Sequence, residues 1–484
     1  MAEPKETVFH AIDSVAEKIC RMSDAIWDHP ETAYRETFAA RCQCELLKEL
    51  GFQVETQLAG IPTAFSGRWG SGHPVIGILG EFDALSGMSQ QACAAEKCPV
   101  VPGGDGHGCG HNLLGAGSIA AAAGIRAYLE NGNFPGTVIY FGCPGEEGGS
   151  GKAFMARDGV FDELDAALTW HPMDYNAAWF DSTLANYQIS YRFQGTAAHA
   201  AASPHLGRSA LDAVELMNIG VQFLREHVIQ EARIHYAITN PGGQSPNVVQ
   251  PEAEVLYLIR APRVTDVQDI YLRINNIAQG AALMTDTQVE IRFIKSCSNF
   301  LMNQVLADSI QRSLEAIGFP ALTEEERQFA KSLRDTLPQC VNPMDALIPK
   351  LDIRDARWVR EQPADPMTEF VVPRIRRESV LAGSTDVGDV SWVCPTGQVL
   401  TAAWPAGTPA HSWQAVSMGK STVAHKAMLY AAKAIAATAV ELLENPQLME
   451  DAKAEHQIRC GGVKYSSPIP KEVSPAIPGL AQKA

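Results

Sequence analysis

Apolar residues near the start of the chain, Val8, Ile12, Val15, Ile19, Met22 and Ile26, recur at alternating steps of four and three. That spacing lines them along one face of a helix and predicts an amphipathic first helix. Residues 39–50 read as a second helix. The short apolar run 74–79 has the length of a buried strand and enters a polar turn, 80–89. Residues 115–129 are helical by composition, 137–141 form a β-rich strand, and 166–169 form a short strand feeding directly into His171. Strand and helix in alternation, with polar residues at the strand ends, predict an α/β sheet whose site lies at the carboxyl edge of its strands.

The pattern changes from about Asn186. A strand at 187–193, a long helix at 209–227, strand-like runs around Ile234, Val255 and Val289, and a helix near 271–284 suggest a separate α+β unit. The chain then returns to helix at 301–317, to short apolar runs and to a C-terminal helix at 424–443, so this second unit reads as inserted into the first. The division expected is a catalytic domain over 1–185 and 299–484, interrupted by a domain at 186–298. Residues 324–379 are richer in charge and proline and read as a partly irregular excursion. The Pro-rich tail from Ser466 reads as draped over the surface.

Composition narrows the class. The 484 residues leave room for two or three domains at about 150 each, and 46% hydrophobic with 19% charged residues is ordinary globular usage. Thirty-nine basic against fifty-five acidic residues give a net charge of -16, which repels a phosphate backbone or an anionic membrane. No nucleic acid and no membrane is therefore expected as a partner. The eleven cysteines follow no disulfide framework, which predicts reduced thiols and a cytoplasmic address. The longest weakly polar stretch, 113–129, is interrupted by Arg126 and falls short of the roughly 20 apolar residues of a membrane span.

Candidate chemistry concentrates in a few short segments. Cys109-Gly110-His111 puts a thiolate and an imidazole on one turn, a pairing that first-row divalent ions accept, although a buried thiol beside a hydrogen-bonded histidine has the same sequence. Glu146 and Glu147 are adjacent carboxylates between glycines, and a metal gives such like charges a reason: Glu147 ligates it while Glu146 acts as general base. A plain surface Glu-Glu turn is the other reading. Residues 145–152 are not a P-loop, because Glu146 stands where the four-residue spacing before Gly151-Lys152 demands the first glycine, and Ala153 replaces the Mg-binding hydroxyl. No dinucleotide fingerprint and no Gly-x-Ser-x-Gly elbow occurs.

In order, the chain carries Cys-Gly-His, Glu-Glu-Gly-Gly, a strand-end His171, Gly195-x-x-x-His199-x-x-x-x-Pro204-His205 and a late Gly407-Thr408-x-x-His411. This order resembles the metallopeptidase family of aminoacylases and glutamate carboxypeptidases, in particular its amidohydrolase branch of hippurate and auxin-conjugate hydrolases. Segments 27–32, 142–151, 203–213 and 384–392 extend the resemblance over nearly the whole chain. It implies a zinc-peptidase-like di-metal catalytic domain of α/β type with an inserted α+β lid that also forms a dimer interface.

By the same resemblance, Cys109, His111, Glu147, His171 and His411 hold two divalent ions, Mn or Zn, and Glu146 is the general base. His199 polarises the substrate carbonyl, commonly in the partner's site, while Asn247 and Arg260 hold the substrate's free carboxylate. Asp83 orients a site residue, and Asp386 or Asp389 line the same region. His107, His205, His425, His29 and Cys143 read as structural. The implied reaction is hydrolysis of an amide between an aromatic acyl group and an acidic amino acid. The leading substrate is p-aminobenzoyl-glutamate, in folate catabolism, and an indoleacetyl amino acid such as indoleacetyl-aspartate is the alternative. Asn112 stands where auxin-conjugate hydrolases usually carry aspartate. The partner expected is a second copy or a related subunit of the same family. A non-catalytic subunit is the contrasting reading, against which the complete set of proposed ligands argues.

Overall fold

The computed structural model describes residues 4–132, 134–337, 342, 344–363 and 365–479. Its larger sheet holds β1 (Gln53–Thr56), β2 (Phe65–Ser71), β3 (Val75–Glu81), β4 (Gly136–Cys143), β5 (Ala166–Met173), β6 (Ala177–Ala178) and β13 (Thr396–Ala402). Their spatial order is β1-β2-β4-β3-β5-β13-β6. The central neighbours β4, β3, β5 and β13 run parallel, while β1, β2 and β6 are antiparallel additions at the edges. Every residue of β3, β4 and β13 is buried. A strand covered on both faces needs apolar residues throughout, which is why these runs show no alternation in sequence.

The helix α1 (Pro4–Asp28) buries Val8, Ile12, Ile19, Met22 and Ile26, the stripe expected from their spacing. It packs on α3 (His111–Gly132), which is buried along most of its length and also contacts α13 (Thr422–Glu444). The small residues of α3 permit this close approach: a Cβ placed on Gly124 would lie 3.0 Å from Val8 and Ile12. Around this layer lie α2 (Thr37–Glu49), α4 (Gly151–Arg157), α7 (Gln304–Ile317), α11 (Val387–Val393), α12 (Trp413–Met418) and α14 (Pro446–Arg459).

The smaller sheet contains β8 (Ala185–Gln194), β9 (Arg233–Asn240), β10 (Glu252–Ala261) and β11 (Gln288–Cys297), in the all-antiparallel order β11-β8-β10-β9. The helices α5 (Ala210–Leu224) and α6 (Val264–Thr285) cover it, and together they enclose a second hydrophobic core. Along β10 burial alternates strictly, as expected of a sheet with one covered face. Near its two crossings to the larger unit the chain is anchored: β7 (Ser182–Thr183) pairs with β12 (Val380–Leu381), Leu184 N–H donates to Gly383 O, and Ser298 N–H donates to Asp389.

The 324–379 stretch is more regular than its composition implied. It contains α8 (Glu324–Arg334), α9 (Met344–Leu347) and α10 (Ile353–Glu361), and α8 begins with a reciprocal capping box between Thr323 and Glu326. Parts of this stretch and of the tail, 338–341, 343, 364 and 480–484, lie outside the described residues. No helix among the described residues is long and apolar enough to cross a membrane.

Candidate metal centre

The parallel strands deliver polar residues to one edge of the larger sheet. Beyond β3 come Asp83 and the loop to Cys109; beyond β4, Glu146 and Glu147; near the end of β5, His171; and beyond β13, His411. Gly110 has φ of +72°, so the chain turns sharply between Cys109 and His111, the first residue of α3. The turn brings Cys109 Sγ to 3.5 Å from His171 Nε2.

Hydrogen bonds set both imidazoles. His171 Nδ1–H donates to Pro172 O at 2.7 Å, and His111 Nδ1–H donates to Asp83 Oδ1 at 2.8 Å. Each ring therefore turns Nε2 toward the pocket as the free nitrogen, the arrangement by which a supporting acceptor orients a metal-binding histidine. The two rings meet edge to face with centroids 5.8 Å apart.

The Glu-Glu turn is built by a neighbouring loop. Gly145 N–H donates to Glu36 Oε1, Tyr34 O–H donates to Gly149 O, and Gly149 and Ser150 N–H both close on Gly145 O. A side chain at Gly149 would collide with the Tyr34 ring, which a Cβ would meet at 2.5 Å. Glu147 N–H donates to Asp83 Oδ2 at 2.9 Å, so one aspartate orients both His111 and Glu147. Glu147 Oε1 lies 3.2 Å from His411 Nε2. His411 reaches it from a left-handed backbone conformation, φ +58°, fastened by its N–H to Gly108 O at 3.0 Å. Such strain in a non-glycine residue persists where the surroundings hold it, and functional sites are where it concentrates.

These groups shift one another's protonation. Burial opposes ionisation of Glu147, yet His411 and His111 outweigh it and draw its carboxyl down to about 2. Burial, then Glu81, Asp386 and Glu147, push the Glu146 carboxyl well above the usual range. Burial, with help from His111, lowers His171. His111 is raised despite its burial, because Cys109 and Asp83 favour its charged form.

Donor atoms of Cys109, His111 and His171 lie within 4.8 Å of one another, as do those of Cys109, Glu147 and His411. Cys109 belongs to both groups. His111 Nε2 and Glu147 Oε1 are buried without a hydrogen-bond partner. Sulfur, imidazole and carboxylate donors converging on unsatisfied buried atoms fit borderline divalent cations.

Five of the residues singled out in sequence thus converge, and Glu146 joins a third group with Glu81 and His111. His199, Asn247 and Arg260 sit apart, on the smaller sheet and its loops; among the described residues none hydrogen-bonds to the Cys109 cluster. His199 and Asn247 are nevertheless neighbours: His199 bridges to Val248, and Ala200 N–H donates to Asn247 O. Backbone N–H groups of Ala201 and Ala202 donate to His199 Nδ1, which leaves Nε2 carrying the proton as an exposed donor. Arg260 donates to Ala382 O, and its Nε is buried without a partner.

Three of the histidines read as structural have structural partners: His107 with Ile26 O, His29 with Ala25 O and the Phe38 ring, His425 with Asp24; His205 is exposed, and its backbone O accepts from Arg208. Cys143 is buried and donates to Phe141 O. Asn112 ties α3 to Ser23 and Gly419 O. Sequence reasoning missed Glu81 and Lys152. Glu81, at the end of the otherwise apolar β3, carried a signal in being a charge on a buried strand; Lys152 followed the Glu-Glu turn and was weighed only as part of a P-loop look-alike.

The family model for "Peptidase family M20/M25/M40" matches residues 77–334. Over 478 residues, 98% of this chain and 99% of the other, the sequence is 48% identical to a subunit of the p-aminobenzoyl-glutamate hydrolase of Escherichia coli K12. It is 29% identical to the Xaa-Arg dipeptidase of Mus musculus, over 94% of this chain and 92% of that one. Among solved structures, a Bacillus subtilis protein described as a dinuclear metal binding peptidase from the M20 family shares the fold, with a TM-score of 0.54 and 16% identity over 89% of this chain and 99% of that chain.

Proposed function

Because the chain belongs to peptidase family M20/M25/M40 and is a hydrolase, we propose that it cleaves the amide of p-aminobenzoyl-glutamate, releasing p-aminobenzoate and glutamate. The observation that carries this reading is the cluster of Cys109, His111, Glu147, His171 and His411, with Glu146 beside it, in a chain 48% identical to a hydrolase of that substrate along nearly its full length.

In this reading the five donors hold two divalent ions, Mn or Zn. Bound there, the ions supply Lewis acidity and lower the pKa of water. Glu146 takes the proton of the attacking water and passes it to the departing amide nitrogen. Its environment disfavours a permanent charge, so a carboxyl there is suited to both accepting and returning a proton. His199 Nε2–H donates to the carbonyl oxygen as it gains negative charge, a contact typically worth about 3 kcal/mol. Arg260 and Asn247 grip the α-carboxylate of the glutamate half, and the planar fork of arginine suits that group.

The reading takes residues 186–298 as a lid that also serves as the dimer interface. The partner is a second copy or a related chain of the same family, since the Escherichia coli relative is itself one subunit of a hydrolase. It sets the work in the cytoplasm, in folate catabolism.

The test compares p-aminobenzoyl-glutamate with indoleacetyl-aspartate, using the purified chain with and without a related subunit. Faster release of p-aminobenzoate by the chain alone supports the reading. Preference for indoleacetyl-aspartate reassigns the substrate, and turnover only after a related subunit is added reassigns this chain as a non-catalytic partner.

A further inference from the structure

Lys152 on α4 is wholly buried. An ammonium in such a place needs anions to compensate its lost hydration. Two supply this: Glu81 Oε1 lies 2.7 Å and Asp386 Oδ1 2.5 Å from Nζ. The backbone N–H of Lys152 donates to the other oxygen of Asp386 at 2.8 Å, so Asp386 is held by both the side chain and the backbone of one residue.

Glu81 has a second free oxygen, and it faces the metal pocket. Oε2 lies 3.2 Å from His111 Nε2, in ion-pair range, while that nitrogen makes no hydrogen bond. Glu81, His111 and Glu146 bring donor atoms within 4.8 Å of one another, a grouping that is itself able to take a cation. Glu81 is thus a carboxylate placed to ligate, and it differs from Glu147 in one respect: its other oxygen is paired with a buried ammonium.

Resting on the ligand assignment above, we propose that Lys152 is a positioning residue that ties Glu81 to the pocket wall and keeps this carboxylate out of the ligand set. A carboxylate that shares its charge with an ammonium is a weaker donor. Released, Glu81 adds an anionic oxygen to the ion on His111, which binds that ion more tightly and reduces its capacity to polarise substrate. Ligand charge and number tune metal affinity in this way.

The experiment uses full-length Lys152→Met, alone and combined with Glu81→Gln. Mn retention is measured by titration against a competing chelator, and kcat and KM are measured on p-aminobenzoyl-glutamate. Lys152→Met is expected to hold Mn about tenfold more tightly and to lower kcat about tenfold with KM near wild type. Adding Glu81→Gln is expected to reverse most of both changes. Wild-type Mn retention in folded Lys152→Met overturns the proposal, as does a double variant that keeps the altered retention, since Glu81 would then not be the agent. Should Lys152→Met fail to fold, Lys152→Met/Asp386→Asn removes one charge of each sign and faces the same two outcomes. The chelator titration needs no substrate, so a wrong substrate assignment leaves this arm intact.

Discussion

Asp83 and His111 form a fixed pair: Asp83 Oδ1 accepts the Nδ1 proton of His111 at 2.8 Å, while its other oxygen accepts the Glu147 N–H at 2.9 Å. One carboxylate thereby orients two proposed ligands from different strands. In Asp83→Asn one acceptor becomes an amide donor that opposes either the imidazole N–H or the peptide N–H. Metal affinity is expected to fall by about 10- to 100-fold with the fold retained. Metal per chain after dialysis against graded chelator, read beside circular dichroism, checks this.

Glu146 and Glu147 are neighbours whose expected losses differ in metal content. Glu147 lies beside His411, whereas Glu146 is grouped with Glu81 and His111. Glu146→Gln should keep metal content near wild type and lower kcat by about 10²- to 10⁴-fold, the contribution of a general acid–base group. Glu147→Gln should lose metal as well as rate. An unchanged rate in Glu146→Gln removes it from the base role.

Much of this centre was legible because each donor occupies a short motif at a strand end, and strand order carries such ends to one edge whatever the intervening loops do. The smaller sheet and its two covering helices were legible for a similar reason, since their strands and long helices break the rhythm of the preceding segment. The Lys152–Glu81–Asp386 cluster was not, because its partners lie on three distant segments and nothing local marks a lysine as buried. The helix α14 was missed because it buries only Met449, Ala452 and His456, too few apolar positions to register as a period. Its one local signal was Asn445 before Pro446, whose side chain accepts from Leu448 N–H as an N-cap. The proton on His199 Nε2 follows from backbone N–H groups that only the folded loop supplies.

Arg260 tests the substrate's orientation. Arg260→Lys keeps the charge and loses the fork, so KM for p-aminobenzoyl-glutamate should rise about tenfold or more while kcat changes less. A substrate analogue lacking the α-carboxylate should show no such difference between wild type and variant.

Stability should depend on pH through a pair outside the metal centre. His425 on α13 meets Asp24 on α1 at 2.9 Å, with Cys20 alongside; burial disfavours its charged form, but these partners raise it to about 9. A folded value above the unfolded one means that the stabilisation is fully present below about pH 6.5 and is lost as pH rises through about 9, on the order of 2–3 kcal/mol. Thermal melts of wild type should therefore decline across that window, and His425→Gln or Asp24→Asn should flatten this part of the decline.

The central claim is metal-dependent amide hydrolysis by this chain. The most direct measurement is p-aminobenzoate released from p-aminobenzoyl-glutamate by the purified protein, before chelation, after chelation, and after Mn or Zn is restored. The account predicts turnover that chelation abolishes and one of the ions returns, with Glu146→Gln inactive throughout. Turnover that persists in the fully metal-stripped protein would contradict it.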